Sequence, residues 1–173
     1  LLARGYVLQK KPVTAALYFA AVYNLDKKLI KGVKEPIKVL YGAKKYALAA
    51  DLAGDYLKTK DSKDREVRAI QVKSLSFTRA DSRKLRGAMR ALVKLDPGTK
   101  DWWLKLARLD LAARDTASAI KNAKTWVDRH SKSLAGYKFL MPLVKTRKAE
   151  RAAYVMCLDK LIEGNEVQVD LFV

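Results

Sequence analysis

The sequence predicts an all-α protein built from stacked helix pairs, and three observations carry that reading. Glycine and proline are sparse, 8 and 4 in 173 residues, and they sit between periodic stretches. Apolar residues recur at helical spacing, as in Leu85, Ala88, Met89 and Leu92. Two stretches of 34 residues, 100–133 and 134–167, align without a gap, which brings Trp103 onto Tyr137, Leu106 onto Leu140 and Ala119 onto Ala153. A helix–turn–helix unit repeated at that period cannot bury its apolar face alone, so units stack. About five pairs are expected, forming a right-handed stack, with any strand confined to the last few residues.

The elements follow in chain order. Residues 1–28 open with "LLARGYVLQ", which reads as a helix already under way, and lead into "PVTAALYFAAVYNLD" with Pro12 at a helix start. That second stretch has no cation and is apolar on most sides. Upstream repeats or a partner are therefore expected to cover the second face of the 12–26 helix. No charged-then-apolar leader precedes it, and the chain is expected to be a piece of a longer protein. Residues 29–62 contain "YGAKKYALAADLAGDYLKTK", where Gly42 is expected to form the turn before a helix through Ala47, Ala50 and Gly54. The stretch "KTKDSKDRE" (58–66) supplies a longer linker. Units 63–98, 99–132 and 133–167 complete a single array over 1–173, with 168–173 as a tail.

On these residues the chain resembles the tetratricopeptide repeat family. Trp103, Leu106, Ala107 and Ala119 match its aromatic, leucine and small-residue positions, and Pro97 closes the preceding unit. The repeats are degenerate: Asp110 stands where an aromatic is usual, Ser131 replaces a closing proline, and Pro142 falls inside a first helix. The resemblance implies an α-solenoid with first helices lining a concave groove and second helices forming the outer wall. It also implies protein–protein interaction rather than catalysis. Carried onto matching positions, the groove residues are Ser74, Lys105, Arg108, Lys138 and, one turn past Pro142, Lys145. The family's carboxylate clamp uses asparagines in the first helices, and this chain has none there.

Charge is the outlier. Thirty-six Lys and Arg against eighteen Asp and Glu leave +18, which predicts attraction to polyanions or acidic proteins. Arg79, Arg83, Arg86, Arg90 and Lys94 keep helical spacing and form a stripe about 140° from the apolar face of the same helix. A solvated outer wall and an anion-facing surface both account for it. The longest apolar run, Ala15 to Tyr23, falls well short of the roughly 20 residues that span a bilayer.

Catalytic and metal-binding constellations do not stand out. His130, alone of its kind, sits at a helix end, and Cys157, also single, lies on an apolar helix face. "DPGTK" lacks the remaining glycines of a phosphate loop. No cofactor, no metal site and no enzyme activity are expected. Trp103 and Trp126 are expected in the core; Trp102 either packs on an adjacent helix or stands near Lys105 and Arg108 as a binding anchor. The leading reading is a scaffold that binds an acidic peptide or partner protein. The competing reading is a nucleic-acid-binding component of a ribonucleoprotein that uses its basic surface.

Overall fold

A computed structural model describes residues 2–29, 33–78, 81–98 and 101–164. Among these residues every regular element is helical. The helices are α1 (Leu2–Leu8), α2 (Pro12–Asp26), α3 (Lys34–Gly42), α4 (Tyr46–Thr59), α5 (Arg65–Phe77), α6 (Ser82–Leu95), α7 (Trp102–Ala112), α8 (Thr116–Arg129), α9 (Leu134–Val144) and α10 (Arg151–Glu163). Short 3-10 turns occupy Lys27–Leu29 and Lys148–Glu150. The helices fall into two compact units, one through Asp96 and one from Pro97.

Three of the pairs are joined by one kind of turn. Lys10, Lys44 and Arg114 each adopt a left-handed backbone, at φ 55°, 58° and 60°. In each case the next residue's N–H donates back across the turn, Lys11 to Tyr6, Lys45 to Leu40 and Asp115 to Asp110, at 2.9 Å. That closes the last helical turn in the manner of a Schellman motif, normally a glycine position. The turn glycine expected at 42 is instead the last residue of α3, and Lys44 makes the reversal. Glycine is not required, because the hydrogen bonds offset the strain of about 1–2 kcal/mol that a side chain brings to this backbone.

Aspartates start several helices. Asp64, Asp81 and Asp115 accept from the backbone N–H of Val67, Arg83 and Ser118, capping α5, α6 and α8. "KTKDSKDRE" is a linker only in part, since α4 runs to Thr59 and Asp64 already caps α5.

In the first unit, consecutive helices pack on one another and α3 also touches α5. Its core runs from Ala15, Ala16 and Phe19 through Ile37 and Leu40 to Leu52 and Val67. Ion pairs tie first helices together at their edges: Arg4–Glu35 at 3.0 Å, Lys38–Glu66 at 2.7 Å, and Lys34 with the capping Asp64. The α2 helix buries Ala15, Ala16 and Phe19 yet leaves Val13, Leu17 and Leu25 exposed, in keeping with its lack of a polar side.

The second unit is held by Leu104, Ala107, Ala123, Trp126, Leu140 and Cys157. Gly136 of α9 lets Trp126 of α8 lie directly against the helix backbone. Asp110 is fully buried and accepts from Asn122 Nδ2 at 2.7 Å, so the acid at an expected aromatic position joins α7 to α8 by a hydrogen bond. Pro142 lies in the last turn of α9, and the helix stops at Val144.

Of the residues the repeat places in the core, Met89, Leu92, Leu106, Ala119, Ala123, Trp126 and Leu140 are buried. Leu85 and Ala153 are only half-buried. Leu85 falls in the first turn of α6, and Ala153 follows a 3-10 turn where the preceding unit has the tight left-handed one. Trp103 is half-buried as well, its Nε1 donating to the Pro97 carbonyl at 3.0 Å.

Candidate functional site

The first helices of the second unit carry a surface of cations set on aromatic rings. Leu104, Leu106 and Ala107 turn one side of α7 into the core, which leaves Lys105 and Arg108 exposed. Lys105 Nζ stands 4.9 Å from the centre of the half-buried Trp102 ring. Arg108 Cζ stands 6.0 Å from the ring of Phe139 on α9, so α7 and α9 meet across a cation–π contact. Such contacts are worth about 0.5–1 kcal/mol when exposed, enough to hold long side chains in place without consuming their charge. Lys138 is exposed beside Phe139. Lys145 caps the C-terminus of α9, about 10 Å further along the helix. Trp102 thus lies beside Lys105 rather than in the core cluster that includes Trp103.

Ser74 does not belong to such a surface. It is fully buried in α5, and its hydroxyl finds no hydrogen-bond partner. The rotation of α5 needed to bury Val67, Val72 and Leu75 carries Ser74 inward with them. Repeat spacing alone does not give that rotation.

The basic stripe is divided. On α6, Ala88, Met89, Leu92 and Val93 are buried, and Arg83, Arg90 and Lys94 are exposed on the other side with Arg86 half-buried. Arg86 and Arg90 already have partners within the chain. Arg79 lies outside the described residues. Phe139 was missed from sequence. Its signal is the alternation of "YKFLM", which puts an aromatic beside Lys138 on the exposed margin of α9.

The titratable residues that chemistry would call on are placed as structural groups. His130 ends α8 and tilts against Trp126, ring centres 5.3 Å apart. Cys157 is fully buried, and burial pushes its thiol up to about 11, so it is a neutral and unreactive group at pH 7. Among the described residues no group of three His, Cys, Asp or Glu side chains is placed to hold a metal ion. No helix among them is long and apolar enough to cross a membrane.

No protein-family model matches the chain, and no curated protein sequence does. Solved structures match it in fold. A crystal structure of MamA protein aligns with a TM-score of 0.62 at 13% identity, covering 99% of this chain and 94% of that one. A MamA RS-1 ArsTM double mutant gives 0.61 at 14%, covering 98% and 93%. MamA from residue 41 to its end, from Desulfovibrio magneticus RS-1, gives 0.59 at 14%, covering 98% and 94%. At such identities the likeness is one of architecture: the chain has an all-α, tetratricopeptide-like solenoid fold.

Proposed function

We propose that the chain is a degenerate tetratricopeptide array, with units near 1–28, 29–62, 63–98, 99–132 and 133–167, that serves as a non-catalytic scaffold. It binds an acidic segment of a partner protein on the first-helix face of the second unit. Lys105, Arg108 and Lys138 make the charge contacts, Trp102 and Phe139 supply stacking area, and Lys145 extends the site. The observation that carries this reading is the pairing of exposed cations with aromatic rings on α7 and α9. Aromatic and arginine side chains dominate protein–protein interfaces energetically. Long-range attraction from +18 speeds the encounter with acidic partners. The solenoid likeness to MamA is consistent with such use but reaches the fold only.

The same charge supports the nucleic-acid reading, and one experiment separates them. A fluorescein-labelled acidic peptide and a single-stranded RNA of equal charge are titrated against the full chain at several salt concentrations. The proposal expects the peptide to bind and to lose at least tenfold in affinity when Lys105, Arg108 and Lys138 are changed to Glu. RNA binding with a log–log salt slope of about −0.7 per phosphate, unaffected by those changes and without peptide binding, overturns it.

A further inference from the structure

The first unit contains a cleft of about 560 Å³ lined by α4, α5 and α6, with Tyr23 of α2. Its origin is in side-chain size. Ala50 and Gly54 on α4 and Gly87 and Ala88 on α6 all line it, so nothing large fills the gap. A Cβ placed on Gly87 would meet no heavy atom within 4 Å. The volume lies in the range of small-ligand pockets, about 300–1,000 Å³.

Charge is divided across the cleft. Arg68 of α5 and Arg83 and Lys84 of α6 line it, as do Asp51 and Asp55 of α4. The Tyr23 phenol is pushed up by burial and then by both aspartates, which sets the two carboxylates near Tyr23. Arg68 is the uncompensated member. Its Nη1 donates to Gln71 Oε1 at 2.9 Å and its Nη2 to the Ser62 carbonyl at 3.4 Å, both neutral acceptors. Its Nε–H is buried with no acceptor at all. Burial lowers its pKa, with no carboxylate opposing that effect. A guanidinium held inside a wall by neutral groups alone is left short of an anion, because partly desolvated charge is costly until paired.

We propose that this cleft receives a carboxylate side chain from a protein segment, with Arg68 as its anchor and the Asp51/Asp55 wall selecting a cation or amide donor beside that carboxylate. A nucleic-acid backbone fits poorly, since its closely spaced phosphates would face two aspartates. The inference rests on the reading of the chain as a protein-binding scaffold. It uses none of the residues on α7 and α9.

The test follows arginine Nε–H resonances of the full chain by NMR. The probes are the capped dipeptide Ac-Glu-Lys-NH2, its Ac-Gln-Lys-NH2 counterpart, and inorganic phosphate. The Arg68 resonance should shift saturably with the Glu dipeptide and stay still with the Gln one. Gly87→Leu should abolish the shift by filling the cleft, while circular dichroism stays that of the parent. Arg68→Lys should remove the accompanying shift at Arg83. Uniform shifts at every arginine, a response to phosphate tighter than to the Glu dipeptide, or full binding by Gly87→Leu would each overturn the inference. The Lys105/Arg108/Lys138 variant is run alongside with the acidic peptide. Its loss of peptide binding with the cleft silent removes this inference alone; a responding cleft with no peptide binding anywhere on α7 and α9 removes the other site alone.

Discussion

Gly136→Ala should destabilise the second unit although it places a better helix former in α9. In an exposed helix the exchange gains about 0.8–1.0 kcal/mol. At 136 the new Cβ would stand 2.0 and 2.1 Å from two ring carbons of Trp126 and 2.8 Å from Val127 Cγ1. Carbon atoms in contact prefer about 3.5–4.0 Å, so the ring must retreat by about 1.5 Å. Trp126 is 2% exposed and Val127 1%, and neither has space to retreat into. Overpacking of this kind costs about 1–3 kcal/mol or more, and it outweighs the propensity gain. Gly87→Ala is the matched control. Its Cβ meets nothing, and it should stabilise by up to about 1 kcal/mol, leaving about 2–4 kcal/mol between two chemically identical changes. Urea denaturation with far-UV circular dichroism reads both. Tryptophan fluorescence isolates the second unit, because Trp102, Trp103 and Trp126 all lie there. Trp126→Ala alone should cost about 3–5 kcal/mol, and in that background Gly136→Ala should become neutral or stabilising as the methyl enters the vacated space. A Gly136→Ala protein as stable as the parent would refute this packing.

Arg114→Gly should stabilise by about 0.5–1 kcal/mol by relieving a left-handed backbone, read by urea titration with tryptophan fluorescence; no gain would mean the turn is not left-handed. Asp64 gives a pH dependence. Burial alone would raise its pKa, but the hydrogen bonds from Lys34 and the Val67 N–H hold it below the ordinary value. A depressed folded pKa adds stability above the unfolded value of about 3.9 and loses it as pH falls through the folded one. Thermal melts from pH 6 to 2 should therefore show a steeper acid loss for the parent than for Asp64→Asn, which keeps the cap. In α6, Arg83 and Lys94 changed together to Glu should stay within about 0.5 kcal/mol of the parent. Arg86 and Arg90 changed together should lower the melting temperature, since both have partners to lose. Equal effects would show that the whole stripe is merely solvated.

The all-α class, the period and much of the core were legible in the residues because each is a property of one chain direction. Positions 34 apart are buried alike: Leu106 with Leu140, Ala123 with Cys157, Val127 with Leu161. Helical periodicity and repeat length set that correspondence without reference to any neighbour. The cations at 105, 108 and 138 were legible for the same reason, since they sit between buried positions on their own helices.

Tertiary structure decided what depends on two helices at once. Ser74 is buried because α5 rotates to satisfy the core, and Arg108 finds Phe139 because α9 lies beside α7. Lys44, not Gly42, makes the reversal because the returning Lys45 N–H sets where α3 must end. The cleft beside Arg68 exists only where small residues on α4 and α6 come to line the same space. Spacing along a chain orders side chains around one helix axis, but the rotation of that axis against its neighbours follows from packing both surfaces at once.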